Sequence, residues 1–259
     1  MRAVLADFCV RLSELVHVPI RPHRAPSPAS LASAFEAGRV DVAWVSPVLA
    51  LTATELARAV PLVSSVREGV AQYHAVLFTS SESNIRSPSD IRQARAAWVA
   101  RTSAAGFLLP RLSLASRGFV PDEIFTMEAF LHSHGAVAKA VLEGHADVGA
   151  TYAVFEQGDP TRPMVRSGFT DVVPGKTGRV LLAVGPIPAD LMVARPDVAI
   201  TLRAALTTAL EHLHEDAAGA AAAFTLFGTD TFRRFEPGAL DPLRADVESG
   251  RALGLLDES

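Results

Sequence analysis

Hydrophobic and polar positions alternate on two periods along this chain, and the period changes repeatedly. Residues 2–16 carry Asp7, Arg11 and Glu14 on a helical repeat within an apolar run, which predicts an amphipathic helix. A short strand is expected over 17–21, before Pro22, Pro26 and Pro28 force an extended connection. Next come a helix over 31–37 that stops at Gly38, and a buried strand over 39–45 that ends at Ser46-Pro47. Strands follow over 62–66 and 73–79, then a polar turn at 80–84, a short helix opened by Ser87-Pro88-Ser89-Asp90 and a strand over 96–100. Phe107, Leu108, Leu112 and Leu114 mark a helix closed by Gly118. A strand over 125–130 runs into His132-Ser133-His134-Gly135 and a helix over 136–142, closed by Gly144. The pattern over 146–152 predicts a strand that turns into another short helix.

Beyond this, strands are expected over 164–169 and 179–184, separated by a turn-rich stretch, and over 191–194 after Pro186 and Pro188. Helices are expected over 197–214, 217–227 and 237–250. Strands alternating with helices predict an α/β fold with mostly parallel sheets, each with helices on both faces. The middle block has its own alternation, which predicts two lobes with a two-strand hinge: 1–77 with 186–259, and 78–185. Such lobes would form a hinged binding cleft, the C-terminal helices packing on the first.

Composition narrows the function. Of 259 residues 49% are hydrophobic, enough for well-covered sheets. The 24 Lys and Arg are scattered among 28 Asp and Glu, so no concentrated cationic face is expected and nucleic acid is an unsuitable partner. Cys9 stands alone within the first helix, reading as a small buried hydrophobe. No stretch reaches the roughly 18 apolar residues of a membrane span, and the N-terminal run lacks a cleavage site of the signal-peptide kind.

The candidate chemistry lies where predicted strands turn into helices. A helix start directs free amides and the positive end of its dipole at one spot, which suits an anion. Four such junctions are expected, at Ser46, at Ser103, at Ser133 with His134, and at Thr151 with Tyr152. Each hydroxyl can also simply cap its own helix. Convergence of the four on one cleft is the functional reading, because open α/β sheets bind ligands at strand C-terminal ends.

Other motifs lead nowhere. Pro174-Gly175-Lys176-Thr177 ends like a phosphate loop, but Gly168 is wrongly spaced and no helix follows, so it reads as a surface turn. His132 and His134 lack the further ligands of a metal centre. Glu211-His212-Leu213-His214-Glu215-Asp216 reads as a solvated helix end, and no nucleophile elbow or Cys–His set is present. No metal, cofactor or catalytic residue is expected.

Taken in order, several runs resemble the substrate-binding proteins of phosphate, phosphite and phosphonate ABC transporters, which have the type II periplasmic-binding-protein fold. These runs are Gly38 to Trp44, Tyr73 to Phe78, Ser103 to Pro110, Ser133-His134, Glu143 to Thr151 and Pro186 to Asp190. The resemblance covers nearly the whole chain. It implies two α/β lobes closing on a small oxyanion, which is held by helix-start amides and hydroxyls, by a tyrosine like Tyr73 and by a histidine like His134. It also implies a transporter permease as partner and a periplasmic or cell-envelope location, whereas the apparent lack of a signal peptide leaves the cytoplasm open. On this reading the ligand-binding residues are Trp44, Ser46, Tyr73, Ser103, Ala104, Ala105, Gly106, Ser133, His134, Tyr152 and Asp190, with Trp44 and Tyr152 alternatively core or cleft-wall aromatics.

Three departures from the family pattern carry information. Family members have a Ser-Thr-Ser-Gly turn where this chain has Ser103-Ala104-Ala105-Gly106, keeping the amides but losing two hydroxyls. Some relatives with amine-bearing ligands use a glutamate just after the equivalent of Thr151, where this chain has Tyr152; Asp190 is retained. Members also begin with a signal peptide and a first strand, and loss of that strand should leave a sheet edge unpaired. The function expected is capture of a small oxyanion without catalysis. A cytoplasmic ligand sensor, or an enzyme on the same fold acting on a small organic ligand, is the alternative. A histidine binding as imidazolium would lose affinity for the anion as pH rises.

Overall fold

The computed structural model describes residues 2–52, 58–67, 69–120 and 123–256. In chain order its elements are α1 (Arg2–Val16), α2 (Pro28–Glu36), β1 (Val42–Val45), α3 (Pro47–Thr52), β2 (Val60–Val66), β3 (Gln72–Ser80), β4 (Ala94–Trp98), α4 (Leu109–Ser116), β5 (Phe125–Phe130), α5 (His134–Leu142), β6 (Val148–Phe155), β7 (Met164–Ser167), β8 (Gly178–Pro188), β9 (Leu191–Ala194), α6 (Ile200–Glu211), α7 (Ala217–Phe227), β10 (Thr231–Arg234) and α8 (Asp241–Ala252). The chain divides into two compact units: residues up to 71 with Pro188–Asp241, and Gln72–Ile187 with the chain from Pro242 onward.

Unit 1 is built on a four-stranded sheet in the order β1-β9-β2-β10, every neighbouring pair antiparallel. This differs from the parallel sheet expected, because β9 runs back between β1 and β2, while β10 pairs along the far side of β2. β1 stands at one end of the sheet. The core lies where α1, α6 and α7 cover the sheet, around Phe8, Leu12, Val63, Leu206, Leu210 and Phe232. Cys9 is buried in it as a free thiol. The strand expected over 17–21 is absent. The backbone N–H of Ile20 instead donates to the Ser13 hydroxyl at 2.8 Å, so α1 itself holds this segment. β10 has no counterpart in the sequence reading, since only Phe232 of its four residues is buried.

Unit 2 holds a mixed six-stranded sheet with the path β5-β4-β6-β3-β8, β7 pairing with β6. β5, β4 and β6 run parallel, whereas β3 and β7 are antiparallel to β6. α5 covers one face through Val137, Ala138 and Val141, packed with Val76, Phe78 and Ala97. Gly149 makes this approach possible, as a Cβ there would sit 2.8 Å from the methyls of Val137 and Val141. Trp98 and Phe107, both fully buried, meet edge to face at 5.6 Å. There Arg111, 3% exposed, is ion-paired with Glu128 at 3.1 Å, and Glu128 also accepts the indole N–H of Trp98 at 2.6 Å. A cation this deeply buried persists because carboxylate and ring faces replace its water.

The helix expected after Thr151 does not form. β6 continues straight through Thr151 and Tyr152, which pair with Val76 and Ala75 of β3. The run Val148-Gly-Ala-Thr-Tyr-Ala-Val-Phe155 is rich in β-branched and aromatic residues, and ladders on both sides hold it extended. Three of the four expected helix starts therefore exist.

Candidate functional site

In unit 2 the parallel strands β4 and β5 deliver their C-terminal ends to one edge of the sheet, while the neighbouring β6 runs on past them to Phe155. After β4 the chain turns through Arg101-Thr102-Ser103 into a π-helical turn, Ala104–Leu108, that leads into α4. The Ser103 hydroxyl accepts the amide of Gly106 at 3.0 Å, and the amide of Leu108 donates to the Ser103 carbonyl at 3.0 Å. The turn folds back on its own strand, Val99 N–H donating to the Gly106 carbonyl at 3.0 Å. Glycine is required at 106, because a Cβ would lie 2.3 Å from a Val99 methyl. A helix start leaves its first amides without intrahelical acceptors, which at this turn are those of Ala104 and Ala105.

β5 ends beside β4, with the amides of Leu131 and His132 donating to the carbonyls of Trp98 and Val99 at 2.8 and 2.9 Å. His132 takes a positive φ of 60°, and Ser133 then caps α5 by accepting the Ala136 amide at 3.1 Å. Both serines thus use an oxygen lone pair as a cap and retain the hydroxyl proton to donate. The amides of His134 and Gly135 open α5 as those of Ala104 and Ala105 open the π turn.

His134 reaches across to β6, where its Nδ1 lies 2.9 Å from the Oγ1 of fully buried Thr151. Burial pushes the His134 pKa down to about 4, so at neutral pH the ring is uncharged. If Nδ1 accepts the threonine proton, Nε2–H remains as a donor. Gly168 closes this corner. Its N–H donates to the Tyr152 carbonyl at 3.0 Å, and a Cβ on it would meet Thr151 Oγ1 at 2.0 Å and the His134 Cβ at 3.3 Å.

The rings of Tyr73, Tyr152 and His134 touch in sequence. Tyr152 stands edge to face against His134, with centroids 5.2 Å apart, and against Tyr73 at 6.5 Å. Ala75 pairs with Tyr152, so pleating puts Tyr73, two residues before Ala75, on the same face as Tyr152. The π turn packs on β3 and β6. Among the described residues, no carboxylate is hydrogen-bonded to or ion-paired with Ser103, Ser133, His134 or Tyr152.

The remaining expected residues lie in unit 1. Ser46 accepts the Leu49 amide at 3.3 Å and caps α3, as predicted for a serine before proline. Trp44 packs against Phe227 at 4.6 Å and Phe232 at 6.0 Å, on the core side of β1, which is the core-aromatic alternative. Asp190 pairs with Arg67 at 3.1 Å. Burial raises its pKa and the guanidinium opposes that rise. Arg67 in turn donates to the carbonyls of Phe227 and Gly228, fastening Asp190 to the end of α7. Thus the structure gathers Tyr73, Ser103 to Gly106, Ser133, His134 and Tyr152 in unit 2, and holds Trp44, Ser46 and Asp190 within unit 1. Sequence reasoning missed Gly168, Arg67 and the bonding of Thr151 to His134. Of these only Thr151 carried a signal, as a hydroxyl near the end of a strand.

No group of three or more His, Cys, Asp or Glu among the described residues is arranged to hold a metal ion, and no described helix is long and apolar enough to cross a membrane. XAC2383 from Xanthomonas citri, solved with chloride ion, is 25% identical at a TM-score of 0.73, covering 96% of this chain and 92% of its own. A binding-protein component of an ABC phosphonate transporter from Pseudomonas aeruginosa is 18% identical at 0.72, covering 98% and 82%. PhnD1 from Prochlorococcus marinus, solved with methylphosphonate, is 15% identical at 0.72, covering 98% and 95%. The fold is that of type II periplasmic binding proteins. A family profile described as ABC transporter, phosphonate, periplasmic substrate-binding protein matches residues 1–239. The chain therefore belongs to the periplasmic substrate-binding proteins of phosphonate ABC transporters.

Proposed function

We propose that this protein captures a small phosphonate-, phosphate- or phosphite-type oxyanion for an ABC transporter and anchors it at the C-terminal ends of β4 and β5, beside β6. One observation carries the reading: two serine-capped helix starts follow adjacent parallel strands, and the second opens with a neutral histidine held by Thr151. The first amides of each start, the Ser103 and Ser133 hydroxyls and one imidazole N–H together form a donor set without a fixed counter-charge. Such a set favours a tetrahedral oxyanion over neutral solutes. Ala104 and Ala105 leave the π-turn side to backbone donors, so affinity rests more on helix amides than in relatives with hydroxyls there. Membership of a family of periplasmic proteins supports action in the cell envelope with a permease as partner. Both serine oxygens cap helix amides, and the hydrogen bond of His134 Nδ1 goes to buried Thr151 and to neither serine, which supports binding without turnover.

The test is thermal melting and calorimetry with phosphate, phosphite, methylphosphonate and methanesulfonate. Saturation at about 100 times the Kd should add roughly 2.7 kcal/mol to stability. A rise with at least one phosphorus oxyanion, the ligand recovered unchanged, is expected. No rise with any of them contradicts the anion reading, and conversion of the ligand contradicts the transport reading.

A further inference from the structure

The oxyanion donors do not account for the whole candidate site. Tyr73 and Tyr152 are half-buried residues on one face of β3 and β6, and Tyr152 also touches the His134 ring. Core aromatics in this unit behave differently: Trp98, Phe107 and Phe78 are fully covered and pack against other buried side chains. Both ring pairs that involve Tyr152 meet edge to face, at interplanar angles of 82°. Both tyrosines stay partly exposed, and among the described residues no carboxylate is hydrogen-bonded to or ion-paired with Tyr152 or His134.

A surface of this kind recognises the substituent of an organic anion. A bare ammonium group would need a carboxylate or a closed aromatic cage, and the described contacts supply neither. A flat uncharged group can stack on or meet the tyrosine edge at centroid distances of about 4.5–7 Å. Resting on the oxyanion reading above, we infer that the ligand class is an organic oxyanion with a planar, uncharged substituent such as an aryl group, and that Tyr152 determines this specificity. The anionic end lies at the helix starts and the substituent lies along Tyr152 and Tyr73.

Calorimetry with methylphosphonate, 2-aminoethylphosphonate and phenylphosphonate tests this on the wild-type chain and on Tyr152→Phe and Tyr152→Leu. Phenylphosphonate should bind about tenfold tighter than methylphosphonate, and 2-aminoethylphosphonate no tighter than methylphosphonate. Tyr152→Phe should keep the aryl preference, whereas Tyr152→Leu should cut the ratio of phenylphosphonate to methylphosphonate affinity by roughly 2- to 12-fold. Binding of methylphosphonate with no aryl preference, or with preference for the ammonium compound, overturns the inference and leaves the oxyanion reading standing. An aryl preference that survives Tyr152→Leu overturns the assignment to Tyr152. Failure of all three phosphonates to bind overturns the inference, and the oxyanion reading falls with it only if phosphate and phosphite also fail to bind.

Discussion

Two serine-capped helix starts follow strand ends in unit 2, and one follows a strand end in unit 1, yet their surroundings differ. In unit 1 the side chains near the cap are spent on structure: Trp44 on Phe227 and Phe232, and Asp190 on Arg67, itself tied to the end of α7. The neighbouring strand pairs are antiparallel, so successive strand ends point in opposite directions. In unit 2 the parallel pair β5 and β4 brings two strand ends to one edge beside the longer β6, and half-buried His134 meets half-buried Tyr152 and the buried Thr151 of that strand. The difference teaches that a capped helix start becomes a candidate anion site through strand direction, which decides whether several starts accumulate in one place. The capping chemistry itself is the same.

The contrast can be broken most severely at Gly106. Gly106→Ala drives a Cβ to 2.3 Å from a Val99 methyl inside the π turn, so a loss of about 3 kcal/mol is expected, seen as a drop of roughly 6–12 °C in Tm. An unchanged melting point would mean that the turn does not fold back on β4.

Acidification sharpens the contrast next, because His134 is held neutral while the unfolded chain takes up a proton near pH 6.5. Its depressed pKa therefore leaves stability intact above about pH 6.5, and that stability is lost as pH falls towards about 4. After allowance for the half-buried ring, the loss is on the order of 2 kcal/mol. Comparing denaturant unfolding of wild type and His134→Gln across this range isolates the effect, since the variant should lack that part of the slope.

Gly168→Ala should act on binding. The new methyl displaces Thr151 Oγ1, disturbs the His134 ring and weakens methylphosphonate about tenfold by calorimetry. Smallest is Ser103→Ala, which removes the cap on the Gly106 amide and should cost about 1 kcal/mol, or roughly 2–4 °C in Tm. Ser46→Ala, the matching change in unit 1, should leave methylphosphonate affinity less affected than Ser103→Ala does.

Much of this architecture is legible in the chain because its signals are local. The alternation at 73–79 and 125–130, the stops at Gly118 and Gly144, and serines placed ahead of helical runs each depend on neighbouring residues, and the structure contains those elements. Apart from the segment 17–21, held by the adjacent α1, what failed depended on distant partners. β10 is a strand only because β2 offers it an edge, and β6 continues past Thr151 only because β3 and β7 flank it. The site divides in the same way. The caps at Ser103 and Ser133 follow from local pattern, but the bond from His134 to Thr151 joins a helix start to a strand 17 positions away. Gly168 shows its role only against the side chain it must not touch.

The most direct test of the oxyanion anchor is an amide-resolved NMR titration of the 15N-labelled protein with methylphosphonate, with 15N imidazole shifts followed in parallel. The account predicts the largest perturbations at the amides of Ala104, Ala105, His134 and Gly135 and at the His134 ring nitrogens, saturating together at a single Kd. Saturable binding that leaves these groups unmoved and perturbs another part of the chain would contradict it.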